Sequence, residues 1–316
     1  MVQVKPDFIS LVGPTGTGKS AMALYLAESL REVGIKAEIV NADAMQFYKG
    51  MDIGTAKLSL DERRGIQHHL FDWLEVTEES TAANYQVVAR AKIQELISQG
   101  ILPIVVGGSM LYLASLINTF EFPGRDEEIR AELEEQLEQL GHHEMHAKLA
   151  KLDQVAASRI DPNNGRRIVR ALEIVMITGE PFAASLPEEF VSYRPNFQIG
   201  LNSDRANLVE RLAVRVQKMW TDGIVDEVQG LVGQGLRESK TARQAIGYAQ
   251  ALKEIDGEIS KAEAIAETTL LTQRYARRQM SWFRRDPRIH WFDYQDPEVH
   301  QKLREIVFSQ LLGSAK

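Results

Sequence analysis

The stretch GPTGTGKS, Gly13 to Ser20, leaves this chain the fewest choices of fold. An apolar run (Phe8, Ile9, Leu11, Val12) precedes it, and a helical pattern (Ala21, Leu24, Tyr25, Ala27) follows. Strand, glycine-rich loop and helix in that order mark a parallel sheet whose loop cradles phosphate. Gly13 and Gly18 let backbone N–H groups turn inward, Lys19 supplies positive charge, and Ser20 is placed to hold Mg2+. Pro14, Thr15, Gly16 and Thr17 complete the expected diphosphate cradle.

Apolar runs at 7–12, 37–41 and 101–106 alternate with helical patterns near 19–33 and 84–99. The alternation implies βαβ units, an α/β fold with helices on both faces of a parallel sheet, and a site at the carboxyl ends of the strands. Residues 96–120 carry no charge, but Gln99, Gly100, Pro103, Gly107, Gly108, Ser109 and Asn118 divide them. They read as a buried strand, a glycine turn and a helix start rather than a membrane span. From 122 through 185 the sequence becomes charged and rich in alanine and leucine, which predicts a helical insertion broken by the turn DPNNG (161–165). A strand FQIGL (197–201), two or three helices to about 285 and a last helix within 295–316 complete the core. The expected organisation is a first part of the core over 1–120, the insertion over 121–196, and completion of the core over 197–316.

Without cysteine, disulfides, thiolate zinc sites and cysteine nucleophiles are excluded. Together with the lack of a signal-peptide pattern, this predicts a cytoplasmic protein. A net charge of -7 disfavours nucleic acid as a partner only if the charge is evenly spread. It is not: 126–138 is strongly acidic, whereas RYARRQMSWFRRDPR (274–288) carries six arginines against one aspartate, with aromatics between them. Such a stripe suits RNA.

A phosphoryl-transfer enzyme needs a carboxylate at the end of a neighbouring strand to hold its metal. The strand LPIVV (102–106) ends instead in GGS, which counts against a kinase that uses ATP on a small molecule. The nearest acid is Asp43, directly after strand 37–41 in NADAMQFYKGMDIGTAK (41–57). It reads either as the cap of the following turn or as a base beside the loop. In the second role it accepts a proton from a nucleophile attacking the carbon that carries a diphosphate.

Seven segments in order carry a resemblance: GPTGTGKS, NADAMQFYKGMDIGTAK, HHLFD (68–72), VVGGSMLYL (105–113), RRIVRALE (166–173), RQAIGY (243–248) and QRYARRQMSWFR (273–284). Over nearly its whole length the chain resembles the tRNA dimethylallyltransferases, the IPP transferase family, of the bacterial type. The resemblance implies a P-loop NTPase-like core with a helical insertion that clamps tRNA. It implies transfer of a dimethylallyl group from dimethylallyl diphosphate to N6 of the adenine 3′ of the anticodon, with the diphosphate discarded. Asp43 would then be the general base or hydrogen-bond partner of the amine, Thr15 and Arg215 would act beside the diphosphate, and Mg2+ would be the cofactor. Arg211, one turn before Arg215, reads as a solvated helix residue.

The partners implied are the anticodon stem-loop of tRNA and dimethylallyl diphosphate, with no membrane and a monomeric enzyme. Contacts to tRNA carry over to Asp43, Ala44, Met45, Gln46, Ser109 and Arg130, and to Arg166, Arg167, Ile168, Val169 and Arg170. They carry over also to Arg243, Gln244, Ala245, Ile246, Gly247 and Tyr248, and to Arg277, Arg278, Gln279, Met280, Ser281, Trp282, Phe283 and Arg284. Taken singly, Tyr275, Trp282 and Phe283 read more readily as core. Ser109 stands where the family has threonine and keeps the hydroxyl; Ala44 stands where it has serine and loses one. Prenylation of free adenine nucleotides and a non-catalytic RNA-binding role are the remaining readings; the basic RYARR and RRIVR stretches favour a polyanionic acceptor over the former.

Overall fold

The structure, a computed structural model, describes residues 4–119, 122–182 and 190–313. It divides into two compact units, Met1–Asn118 with Ser192–Lys316, and Thr119–Val191.

The larger unit is built on a parallel sheet of six strands in the order β3-β2-β4-β1-β5-β6. These are β1 (Phe8–Val12), β2 (Ala37–Asn41), β3 (His68–His69), β4 (Leu102–Val106), β5 (Asn196–Asn202) and β6 (Ile289–Asp293). Every residue of β1, β2 and β4 is buried, as befits strands covered on both faces. Side chains alternate across the sheet. Phe8, Val12, Val40 and Val105 face one layer, packed with α2 (Ala82–Ser98) and α3 (Met110–Ile117). Ile9, Leu11, Ile39 and Ile104 face the other, with α1 (Lys19–Glu32) and α11 (Val299–Leu312). Each such side chain contributes about 1.5–3 kcal/mol when fully buried.

Two strands and some helices depart from the sequence reading. The β3 strand is only two residues long, and β6, sequence IHWFD, is largely open along its edge, so neither carries a continuous apolar signal. Between β5 and β6 lie four helices rather than two or three: α7 (Arg205–Thr221), α8 (Ile224–Val232), α9 (Tyr248–Ile255) and α10 (Lys261–Phe283).

The smaller unit holds α4 (Glu127–Leu152), kinked at Gly141, α5 (Gln154–Arg159) and α6 (Gly165–Thr178). Asp126, Asp153 and Asn164 cap the three helices with their side chains. Leu133, Met145, Leu149, Ile168, Val169 and Leu172 form its core. Fully buried Glu173 is answered by Arg130 at 3.1 Å and Arg170 at 2.8 Å, so its charge is paired. The unit ends at Val191, before the expected boundary at 196. The cause is that Ser192 bridges Asn118 and Tyr193 N–H donates to Ile117 O (2.7 Å), within the larger unit. Residues 120–121 and 183–189 of the expected insertion lie outside the described residues.

Candidate active site

The phosphate loop leaves β1 with Gly13 at φ 137°, where a Cβ would come within 2.3 Å of the Leu201 carbonyl oxygen. Only glycine fits there. Inside the loop Thr17 Oγ1 (2.9 Å) and Lys19 Nζ (2.7 Å) both donate to Pro14 O. Thr15 N–H donates to Gln279 Oε1 (2.9 Å), and Gln279 Nε2 donates to Gly108 O (2.8 Å). Gln279, expected at the RNA surface, is instead a buried brace from α10 that ties the loop to the glycine turn after β4. That turn has no room for side chains: a Cβ on Gly107 would meet Ala42 O at 2.3 Å, and one on Gly108 would meet the Gln279 amide at 2.3 Å.

Asp43 follows β2 and caps a short 3-10 turn, Ala44–Phe47, its Oδ1 accepting from Met45 N–H (3.1 Å). Asn41 fixes this corner: its Oδ1 accepts from Asp43 N–H (3.0 Å), and its Nδ2 donates to the carbonyls of Asp43 (3.3 Å) and Leu70 (3.2 Å). Ala44 N–H donates to Ser109 Oγ (2.9 Å), so the Ser109 hydroxyl is engaged in holding the two rims together. Asp43 is thus the cap of that turn, and it also faces a cavity beside the loop. Burial pushes the Asp43 carboxyl above its ordinary value, outweighing the Met45 N–H and the charges of Lys19 and Arg215. Burial also brings Lys19 down to about 8.

Helix α7 delivers Arg215. Its Nη1 donates to Thr15 Oγ1 (3.1 Å) and its Nη2 to Thr55 O (3.2 Å), while its buried Nε has no partner among the described residues. The guanidinium is half-buried and positively charged, a group able to donate charge-assisted bonds to an anion. Arg211 is not a simple solvated residue: it lies over the Tyr294 ring (4.3 Å to the centroid) and lines the same cavity.

Two cavities meet at these groups. One, of about 340 Å3, is lined by Lys19, Ser20, Arg211, His68 and Phe71 among others. The second, of about 480 Å3, is lined by Met45, Ser109, Met110, Tyr275 and Arg278 among others. Thr15, Asp43, Thr55 and Arg215 line both, so a group held on either side reaches the same four residues.

The remaining expected residues separate by burial. Ala44, Gln244, Ala245, Ile246 and Tyr248 also line the second cavity, whereas Gln46 lines the first and donates to Thr55 O (3.1 Å). Gly247 is a buried cap of α9. Arg243, Arg277, Ser281 and Arg284 are exposed, with Met280 and Trp282 half-buried. Phe283 is core, and in the smaller unit Ile168 and Val169 are core as well, which leaves Arg166 and Arg167 exposed there. Arg130 and Arg170 are occupied with Glu173.

Tyr275, a core residue by its type, lines the second cavity, and burial together with the charge of Asp43 pushes its hydroxyl up to about 12. Thr268, Thr272, Tyr275 and Gln279 recur at helical spacing, the one signal that could have placed them on a single face of α10. Among the described residues no group of three or more acids or histidines is arranged for a metal, and no helix is long and apolar enough to cross a membrane.

Comparison with known proteins gives a consistent result. The family model described as IPP transferase matches residues 46–286. A tRNA dimethylallyltransferase from Thermobifida fusca is 53% identical over 291 residues, 92% of this chain and 91% of its own length. One from a Nocardioides species is 48% identical over 309 residues, 98% of each. A solved tRNA isopentenylpyrophosphate transferase from Bacillus halodurans superposes with a TM-score of 0.70 at 34% identity, covering 98% of this chain and 97% of its own. A eukaryotic dimethylallyltransferase solved acting on tRNA gives 0.77 at 27%, covering 96% and 78%.

Proposed function

The chain belongs to the IPP transferase family and transfers a dimethylallyl group to a tRNA adenine near the anticodon, and from that premise we propose how its two cavities divide the reaction. The observation that carries the reading is the junction of Thr15, Asp43, Thr55 and Arg215, which face both cavities. Dimethylallyl diphosphate lies in the first, its phosphates against the loop N–H groups and the N-terminus of α1. The adenine 3′ of the anticodon is flipped into the second, between Met45, Met110 and Tyr275.

The adenine N6 is a weak nucleophile because its lone pair is delocalised into the ring. Asp43 accepts a hydrogen bond from that amine and takes its proton as the N6–carbon bond forms. The carbon–oxygen bond to the diphosphate breaks, and its electron pair leaves with the diphosphate. Arg215, Thr15 and Lys19 stabilise the charge that develops there. Lys19 gives up its bond to Pro14 O for the phosphate, and the gain of an anionic neighbour favours its charged form.

Ser20 lines the first cavity, and its hydroxyl is of the donor type that Mg2+ takes beside a substrate's phosphates. Mg2+ commonly takes few protein ligands beside phosphate oxygens and water. Ser20 would hold it, and when bound it would neutralise charge on the diphosphate.

The exposed arginines, Arg166, Arg167, Arg243, Arg277, Arg278 and Arg284, support a polyanionic acceptor. Arg278 lines the second cavity, with its guanidinium over the Tyr275 ring (5.7 Å). Arg278→Ala is expected to weaken binding of an anticodon stem-loop by roughly tenfold at low salt and to reduce the salt slope by about one. A loss equal at all salt concentrations would show damage of another kind.

The acceptor atom is tested with a stem-loop carrying purine riboside, which lacks the exocyclic amine, in place of the adenosine 3′ of the anticodon. No transfer is expected to it, and none to the natural stem-loop in excess EDTA. Transfer to purine riboside would remove N6 as the acceptor, and undiminished transfer in EDTA would remove the metal.

A further inference from the structure

Residues 52–54, in the loop between the Ala44–Phe47 turn and β3, are held by one carboxylate. Glu227, in the first turn of α8, accepts backbone N–H groups of three consecutive residues: Asp52 (3.1 Å) and Ile53 (2.7 Å) on Oε2, and Gly54 (3.4 Å) on Oε1. Tyr248 donates its hydroxyl to Oε1 as well, at 2.5 Å. Successive N–H groups turned toward one anion form a nest, and bonds to a charged acceptor are stronger than neutral ones. Gly54 is required for this approach, because a Cβ there would lie 2.3 Å from the Tyr248 ring.

The next residue carries the consequence. Thr55 O accepts from Arg215 Nη2 (3.2 Å) and from Gln46 Nε2 (3.1 Å), and Arg215 Nη1 reaches Thr15 Oγ1 (3.1 Å). Arg215 therefore takes its place from the phosphate loop on one side and from this loop on the other. Lys57 fixes the far end of the loop, bonding Tyr48 O (2.8 Å), Asp52 (2.7 Å) and Asp72 (2.6 Å). Tyr248 also walls the second cavity, so the same carboxylate braces the acceptor wall and the loop that sets the arginine.

We propose that Glu227 is a positioning residue for the transfer: through the 52–54 nest and Thr55 O it holds Arg215 in register between the cavities. The proposal rests on the reading of Arg215 given above. Glu227 lines neither cavity, so its effect passes through that chain of bonds.

The test is a double-mutant cycle on the full-length enzyme with dimethylallyl diphosphate and a tRNA stem-loop. Glu227→Gln keeps the size but turns an amide toward backbone donors. It is expected to lower kcat on the order of 10- to 100-fold with the KM for the stem-loop little changed, as displacement of a catalytic group does. Tyr248→Phe, which keeps the ring and removes one donor, is expected to act in the same direction more weakly. In an Arg215→Ala background Glu227→Gln is expected to cost little more, because both changes remove one function. Full additivity in that background would overturn the proposal, as would an unchanged kcat in a folded Glu227→Gln protein. A wild-type enzyme that does not transfer dimethylallyl at all would instead overturn the reading of the reaction itself.

Discussion

Replacing Asp43 with asparagine is expected to lower the rate of dimethylallyl transfer by about 10²- to 10⁴-fold, the range for removal of a general base. Asparagine keeps the size of the side chain and an oxygen for Met45 N–H, so the 3-10 turn and the corner held by Asn41 should persist. In the proposed mechanism, what it loses is the ability to take a proton from the adenine amine. Stem-loop and donor affinities are then expected to stay within a few fold, with the loss in single-turnover rate. The pH profile provides a second check. Burial raises the Asp43 pKa, so the ionised base is present only above that raised value, and kcat/KM of the wild type rises with pH through it. The Asp43→Asn enzyme should lose this ascending limb. A raised carboxylate pKa also means that ionisation opposes folding above it. At neutral pH the variant is therefore expected to melt no lower than the wild type.

Arg215→Ala is expected to cost about 10²- to 10³-fold in kcat, comparable with loss of a preorganised donor to developing charge. The side chain spans Thr15 Oγ1 and Thr55 O with two different nitrogens, and its buried Nε has no partner among the described residues. Arg215→Lys is not expected to restore the rate, since one ammonium cannot reproduce that fork. Single-turnover kinetics at saturating donor distinguish this from weaker donor binding, and full recovery with lysine would reduce the role of Arg215 to that of a point charge.

The parts of the molecule that were legible in the sequence are those set by local rules. GPTGTGKS announces its strand, loop and helix because its glycines are demanded by the backbone: Gly13, Gly16 and Gly18 all take positive φ. The buried strand β4 reads as an uninterrupted apolar run, and β1 and β2 as mainly apolar runs that Ser10 and Glu38 interrupt. Asp43 is legible from its position directly after a strand, whereas Ser109 is legible only through the family resemblance. By contrast, β6 has a polar, half-open sequence, and its place beside β5 comes from pairing such as Gly200 with Trp291, not from periodicity.

The same distinction runs through the site. Gln279 sits in an arginine-rich helix and looked like an RNA contact, but it bonds Thr15, 264 residues away in the sequence. No local pattern encodes that pairing. Ile168 and Val169 lie between arginines in RRIVR, and their apolar character, which the helix turns inward, was the better guide than their neighbours. Arg211 and Tyr275 were assigned by typical behaviour of their residue types, and each was displaced by the shape of a cavity that only the assembled helices create. Glu227 resembled any acid in the first turn of a helix, and its nest depends on a loop more than 170 residues earlier.

In the proposed reaction the carbon–oxygen bond is cleaved at the junction of the two cavities, and the diphosphate leaves intact. The direct measurement is to count diphosphate and N6-dimethylallyladenosine in one reaction of the enzyme with unmodified tRNA, Mg2+ and dimethylallyl diphosphate, beside a parallel reaction containing ATP. One diphosphate per modified adenine 3′ of the anticodon is expected, with no product from ATP. Release of single phosphate, turnover of ATP without a prenylated nucleoside, or diphosphate released without tRNA modification would contradict it.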